Sequence, residues 1–462
     1  MIRLFHVYFP RRVVILTIGE ALIVYASFLV AALIRFRADS FLMLNYEGGF
    51  FKIGLVSGVL MLCMYYQDMY DFMVLGNPRE VLTRLVQVLG ITCLIMAFLP
   101  YLLPAARLEI GFFVLGIVLV GLSVAGWRKV FWALNRSLPL ARRAIILGAG
   151  HLVTTLAREI RTHAEWGVRV VGYVGRPLDT AGPDELPYLG GCEDLPAVVE
   201  RERAGQVIVT MEERRGSLPV EPLLKLKAQG VLIQDGAEVY ESLTGKISLE
   251  SLRLSWLLFS PGFWVSGGML FYKRLTSILI SALGLLLSVP LMAIIAVAIR
   301  LDSKGPVIFR QKRVGQDGKV FDLYKFRSMQ EGVDAPGQHK PAQENDQRFT
   351  RVGRWLRRTR LDELPQLYNI WRGDMYFIGP RPFVPNQEEE LSQKIPYYRQ
   401  RWSVRPGATG WAQVNHGYCA TVEDNAEKLA YDLFYIKNMS IGLDLLIIFR
   451  TAKVLLLGRG SR

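Results

Sequence analysis

Apolar residues gather along the first third of the chain in four long runs, 13–34, 50–66, 85–103 and 111–127. A helix that crosses a bilayer needs about 20 mainly apolar residues. Each run is therefore read as one such helix, the second and fourth with little tilt. The first run is too long for the apolar stretch of a signal peptide and is read as a retained anchor. Arg11 and Arg12 precede the first run, Arg79 and Arg84 separate the second from the third, and Arg128 and Lys129 follow the fourth. If the four helices alternate in direction, these cations share one face, which the positive-inside rule makes cytoplasmic. Arg35, Arg37 and Arg107 on the opposite side reduce that bias without reversing it.

From residue 141 the pattern changes to short apolar runs separated by amphipathic stretches. Residues 144–147 form an apolar run, followed by Gly148-Ala149-Gly150 and a helical pattern to Ile160. Strand, glycine turn and helix start together make a loop that can hold a phosphate on backbone N–H groups. Further strand-like runs at 168–174 and 206–210 make this a Rossmann-like α/β module. The dinucleotide pattern is incomplete, because Val153 occupies the third glycine position and Gly172-Tyr173-Val174 ends the second strand without an acid. Gly148 and Gly150 are thus a candidate nucleotide loop, and a folded spacer or oligomerisation module is the competing reading.

A fifth apolar run, 275–299, is also long enough to cross. Its flanks, Lys273 and Arg274 before it and Arg300 and Lys304 after it, are both basic. Four preceding crossings return the chain to the cytoplasm, so a fifth would place the last 160 or so residues outside. A re-entrant hairpin that breaks at Ser288 and Pro290 satisfies both constraints, since proline removes a backbone donor and Gly284 loosens the helix. A proline-kinked transmembrane helix is the alternative.

Composition then narrows the function. The 462 residues carry 55 Lys and Arg against 41 Asp and Glu, a net charge of +14, and a mean hydropathy of +0.24. Residues 300–462 hold 27 Lys and Arg against 18 Asp and Glu, so nine of the fourteen charges lie there. Such an excess calls for an anionic partner. The densest part holds Arg348, Arg351, Arg354, Arg357, Arg358 and Arg360, with Trp355 its only interleaved indole, a poor match to nucleic-acid surfaces. Four cysteines, Cys63, Cys93, Cys192 and Cys419, form no CxxC pair, which argues against zinc or a disulfide framework. Glu20 is the only acid within the first four runs' midspans, too little for a transporter.

Directly after the arginine run stands Leu361-Asp362-Glu363-Leu364-Pro365-Gln366-Leu367. Proline belongs in the first turn of a helix, so a helix is expected to start near Asp362. Adjacent acids at a helix start are ordinarily capping residues. Here a positive helix end and nearby guanidinium groups favour two ionised carboxylates. An ionised Asp is competent to attack phosphorus, and a neighbouring carboxylate can hold Mg²⁺ together with water and phosphate oxygens. Lys325 and Arg327 stand two apart in Lys325-Phe326-Arg327-Ser328-Met329, and two prolines immobilise Arg381 in Gly379-Pro380-Arg381-Pro382. An arginine fork of that kind suits phosphate.

These motifs carry a resemblance. From Lys273 to about Leu457 the chain resembles the bacterial sugar transferase domain, the monotopic phosphoglycosyl transferases that use polyprenyl phosphate. The matching residues are Lys273-Arg274, the Arg300–Pro306 stretch, Arg310-Gln311-Lys312-Arg313-Val314-Gly315, the Lys325, Asp362-Glu363 and Arg381 motifs, Arg405-Pro406-Gly407 with Gly410 to Asn415, and Tyr431-Asp432 to Asn438. The preceding segments resemble the long, exopolysaccharide-type members. The resemblance implies three parts: four transmembrane helices over 1–135, a Rossmann-like module over 140–262, and a mainly α catalytic domain over 270–462 with re-entrant helix 275–299. It further implies that Asp362 attacks the β-phosphate of a UDP-sugar and releases UMP, that Glu363 binds Mg²⁺, and that undecaprenyl phosphate then accepts the sugar phosphate. Lys325, Arg327, Arg357, Arg381 and Asp432 would contact substrate or phosphates. Membrane lipids are the remaining partners, with a homo-oligomer admissible and nucleic acid excluded. The expected location is the bacterial inner membrane with the catalytic domain on its cytoplasmic face. Glucose or galactose is the sugar favoured by the long-form layout. In that family the residue directly before the hairpin proline is commonly serine, whereas here it is Val289 and the serine is Ser288.

A membrane-anchored nucleotide-sugar dehydratase or epimerase would need an intact GxGxxG and a Tyr with Lys four residues later, and the sequence has neither. A non-enzymatic scaffold of a polysaccharide assembly complex would have no need of Asp362. The 441–457 stretch, whose apolar pattern is interrupted by Asp444, Arg450 and Lys453, is expected to lie along the membrane surface.

Overall fold

In the computed structural model, the described residues are 2–4, 7–71, 74, 78–137, 142–163, 166–177, 186–211, 218–249, 252, 263, 265–330, 348–417 and 421–456. The expected segment limits at 140 and 262, together with Cys419 and Leu457, lie outside them.

Four long helices, Arg11–Phe36, Gly49–Tyr66, Pro78–Leu102 and Ile110–Ser137, make up most of the N-terminal region. Each extends beyond its apolar run at one or both ends, by as little as one residue before the second run and as much as ten after the fourth. They share a core that includes Val24, Phe28, Leu60, Met64, Val88, Phe112 and Val124. Their other faces leave residues such as Leu22, Val86 and Leu122 exposed, as expected of side chains that meet lipid. Gly116 allows the first and last of these helices to touch, because a Cβ there would collide with the Phe28 ring. Glu20 is fully buried and accepts from Arg128 Nε at 2.6 Å and Nη2 at 3.1 Å. Arg128 also donates to the Met69 carbonyl, so this residue, counted above as a flanking cation, is half of a buried pair. A short antiparallel pair of strands, Ile2–Leu4 with Val7–Phe9, precedes the helices.

The middle segment is a five-stranded parallel sheet in the spatial order Tyr188–Gly190, Val168–Val174, Arg142–Leu147, Gln206–Val209, Leu232–Asp235. Strands buried on both faces, such as Gln206–Val209, explain the unbroken apolar runs. Gly148, Gly150 and the helix His151–Thr162 lie at the switch point between Arg142–Leu147 and Gln206–Val209, where this fold class offers a ligand crevice.

The C-terminal half begins with the helix Gly267–Asp302. At 1.5 Å per residue it runs about 54 Å. Among the described residues five helices, this one included, are long and apolar enough to cross a membrane. Lys273, Ser277, Ser281, Ile295 and Ile299 are buried along one stripe of it, while Leu279, Leu283, Leu286, Leu287, Ile294 and Val297 are exposed on the rest. The stripe is covered by the C-terminal half itself: Arg274 donates to the carbonyls of Ile370 and Trp371, Ser277 accepts from Phe377 N, and Asp302 accepts from Val352 N. The expected break falls inside this helix: the chain stays helical on both sides of Ser288 and Pro290. Proline leaves one backbone acceptor there without its helical donor, and Ser288 Oγ donates to the nearby Leu285 carbonyl.

Behind this helix sit an antiparallel hairpin, Ile308–Val314 with Val320–Phe326, and a parallel pair, Tyr376–Ile378 with Gly407–Thr409. The helices Arg351–Thr359, Gln366–Arg372, Pro385–Lys394, Trp411–Asn415, Val422–Lys437 and Ile441–Leu456 pack around them. The α/β segment docks on it through Trp411 Nε1, which donates to Gly245 O at 2.9 Å, and through the Lys437–Glu241 pair at 2.6 Å. The last helix also meets the membrane helices: Lys453 donates to Tyr65 O, and Phe449 lies 4.7 Å from the Tyr65 ring.

Candidate active site

Asp362 and Glu363 lie in a single 3₁₀ turn, Leu361–Glu363, between the helices Arg351–Thr359 and Gln366–Arg372. The α-helix thus starts four residues later than expected, with Pro365 as its N-cap. Arg360 makes the junction in the left-handed region, φ 56°. Leu361 and Leu364 on either side pack with Phe326, Leu356, Ile295 and Ile299. The acidic turn is therefore anchored to the membrane helix by its apolar neighbours.

Lys325 arrives on the strand Val320–Phe326, and Asn369 fixes that strand beside the turn. Fully buried, Asn369 accepts from Tyr324 N at 3.0 Å and donates to Asp322 O at 2.7 Å. Lys325 Nζ then reaches Glu363 Oε1 at 3.3 Å. Arg381, from the loop after Tyr376–Ile378, reaches the same oxygen at 3.5 Å. Arg357 lies with its guanidinium 4.5 Å from the Phe349 ring centre and favours ionisation of Asp362.

The two carboxyls titrate apart. Burial, with Asp362 only 8% exposed, raises its pKa to about 6, and the charge of Glu363 pushes the same way against Lys325 and Arg357. Glu363 falls to about 2: burial opposes ionisation there, but Lys325, Arg381 and Arg360 outweigh it. The cations favour ionisation of both acids, as expected, but at Asp362 burial and the charge of Glu363 outweigh them. Burial lowers Lys325, and burial together with Arg381 lowers Arg313 to about 10.

Two candidates stand elsewhere. Arg327 donates to Lys304 O at 2.6 Å and to Ser303 O at 2.8 Å, tying down the C-terminal end of the membrane helix. Asp432 is buried against Arg401 Nη2 at 2.9 Å. Neither is brought to Asp362. Arg313, unassigned above, belongs to the site electrostatically. Its signal was the two-residue period: it shares the hairpin face of Phe309, which pairs with Lys325.

The bacterial sugar transferase family profile matches residues 269–458, and that of a CoA-binding domain matches residues 66–225. The chain is 43% identical over 228 residues, 49% of its length and 52% of the relative's, to UDP-N-acetylgalactosamine-undecaprenyl-phosphate N-acetylgalactosaminephosphotransferase of Aeromonas hydrophila. It is 32% identical to UDP-glucose:undecaprenyl-phosphate glucose-1-phosphate transferase of Xanthomonas campestris pv. campestris, covering 67% of this chain and 66% of that one. With the exopolysaccharide production protein PSS of Rhizobium leguminosarum bv. phaseoli it shares 41% identity over 39% of this chain and 92% of the relative. The chain thus spans from half to about two thirds of the first two relatives' length.

Proposed function

Because this chain belongs to the bacterial sugar transferase family, we propose that it moves a sugar-1-phosphate from a UDP-sugar to undecaprenyl phosphate and releases UMP. The relatives' names support the reaction class. The observation that carries it is the Asp362–Glu363 turn, two carboxyls of unequal acidity beside Lys325 and Arg381 and packed onto a membrane helix. Such a site has a nucleophile, cations for a diphosphate and access to a lipid.

In this reading an oxygen of ionised Asp362 attacks the β-phosphorus of the donor. The bond from that phosphorus to the bridging oxygen breaks, and UMP leaves with the oxygen and its electron pair. A phosphate oxygen of undecaprenyl phosphate then attacks the same phosphorus, freeing the Asp362 carboxylate and giving the diphosphate-linked sugar. Lys325, Arg357 and Arg381 hold the phosphate charge, which is where such electrostatic catalysis acts. Glu363 orients the two cations that reach it. Among the described residues no three or more His, Cys, Asp and Glu side chains form a metal cage. Mg²⁺ needs only one or two carboxylates with water and phosphate oxygens, and Glu363 beside Asp362 fits that demand. Bound there, the ion would neutralise diphosphate charge. Glucose or galactose is the proposed sugar, and surface glycan or exopolysaccharide assembly the setting.

The route through Asp362 is tested without acceptor. Incubation with a UDP-sugar alone is expected to release about one UMP per chain and to add a sugar-phosphate mass to the peptide bearing Asp362. UMP release that waits for acceptor, with no adduct, overturns the covalent route.

The same reading places the catalytic half on the cytoplasmic face of the inner membrane, with the helix Gly267–Asp302 re-entrant. Its support is that residues at both ends, Arg274 and Asp302, bond the same C-terminal half. Cysteines at exposed Gly268 and Lys304 should both react with an impermeant maleimide in inverted vesicles and neither in intact cells. Labelling from opposite sides would sink the hairpin.

A further inference from the structure

Arg381 is presented by a loop whose backbone is held at every step. Four successive carbonyls each accept from a different place. Pro380 O accepts from Gly407 N at 2.9 Å, Arg381 O from Arg401 Nη2 at 2.8 Å, Pro382 O from Arg313 Nη1 at 3.0 Å, and Phe383 O from Val314 N at 3.0 Å. Behind the loop, Gly379 and Gly407 touch so closely that a Cβ on Gly407 would collide with the Gly379 backbone. Only two of these four donors are side chains, and Arg401 is the more deeply set, 3% exposed. Its guanidinium also donates to Glu388 Oε1 at 3.1 Å, to the Tyr398 hydroxyl at 2.9 Å and to Asp432 Oδ2 at 2.9 Å, and it lies over the Phe383 ring. Glu388 and Asp432 are each 2% exposed. Burying one cation with two acids is costly unless geometry repays it. Here the two terminal nitrogens make four hydrogen bonds while Nε is buried without one, and one of the four goes to the carbonyl of the residue whose own side chain reaches Glu363.

We infer that Arg401 is a positioning residue for the transfer reaction: held by Glu388 and Asp432, it clamps the Arg381 carbonyl and so aims the Arg381 guanidinium at the donor's phosphates. Arg313 supplies the second clamp at Pro382. This accounts for Asp432 lying away from the acidic turn: it acts through Arg401. The inference rests on the reading that Arg381 meets the donor.

A double-mutant cycle tests it in the full membrane-embedded chain. Arg401→Gln is expected to lower kcat/KM for UMP release about 10²-fold, the scale of a misplaced catalytic group. In an Arg381→Met background the same change should cost less than about threefold, because the group being aimed is gone. A residue that merely supports the fold would cost the same factor in both backgrounds, and that result overturns the clamp. So does an Arg381→Met chain that stays active while Arg401→Gln does not. Arg401→Lys keeps the charge between Glu388 and Asp432 but cannot make all four bonds; its loss, measured per folded chain, should fall in kcat and show the same non-additivity. If Arg401→Gln does not fold, the cycle run with Arg401→Lys decides alone, a multiplicative loss overturning the clamp. Failure of the reaction itself registers separately, as the absence of an adduct on wild-type Asp362.

Discussion

Asp362→Asn is expected to lower kcat/KM for UMP release by at least about 10⁴-fold, the scale seen when a nucleophile is removed from a site whose other groups stay in place. The amide is nearly the same size, so Lys325, Arg357 and Arg381 keep their positions, but it offers phosphorus no anionic oxygen. Wild type should show an acid limb near pH 6, because burial and then the Glu363 charge hold the Asp362 carboxyl that high. Below that pH the side chain is protonated and the rate should fall about tenfold per unit. Stability moves the other way. An acid whose folded pKa lies above its unfolded value, about 3.9, loses stability as pH rises between the two. The ionised form therefore costs the folded state about 3 kcal/mol at pH 7, and Asp362→Asn should raise the unfolding temperature there. An inactive variant that is also harder to unfold cannot be dismissed as misfolded. Activity within tenfold of wild type would remove Asp362 from the chemistry.

Lys273→Met should destabilise the chain by about 3–5 kcal/mol, the cost of stranding one member of a buried ion pair. Lys273 is 3% exposed and donates to Asp444 Oδ2 at 3.0 Å, to Ile378 O at 3.1 Å and to the Tyr435 hydroxyl. Tyr435 in turn donates to Asp444 Oδ1 at 2.7 Å. Burial already raises Asp444 against the pull of Lys273 and Tyr435. Without the ammonium it must take up a proton or sit as an unpaired charge, so the loss should be greatest at alkaline pH. Lys273→Met with Asp444→Leu leaves no charge behind and should recover most of it. Thermal unfolding in detergent micelles measures both; a single-variant loss under about 1 kcal/mol would show that water reaches the pair.

The long apolar runs were legible because a bilayer imposes a length that few other structures need, and only their ends shifted. Asp362, Glu363, Lys325 and Arg381 were legible because motif and turn chemistry are local. Arg327 and Asp432 look no different in sequence from those residues. What separates them is a tertiary partner, the end of a membrane helix for one and Arg401 for the other. Arg401 itself sits in the 3₁₀ stretch Tyr398–Ser403, which has no apolar period to mark a buried position. The raised pKa of Asp362 was hidden for a related reason: the cations are visible in the chain, whereas burial is not. Ser288 and Pro290 mark a weak point by local rules, and the chain stays helical on both sides of it, since hydrocarbon demands paired backbone groups. The three-residue strands Ile2–Leu4 and Val7–Phe9 are too short to carry an alternation.

The Lys273–Asp444 pair also sets an order of events during synthesis. The two residues lie 171 positions apart. A chain that grows at about 5–20 residues per second makes Asp444 roughly 10–30 s after Lys273. Throughout that interval the ammonium must be served by water or lipid phosphate at the membrane surface, since its carboxylate does not yet exist. Insertion of the helix and closure of the fold over its second turn are therefore separate kinetic stages, and the membrane surface is the waiting place between them.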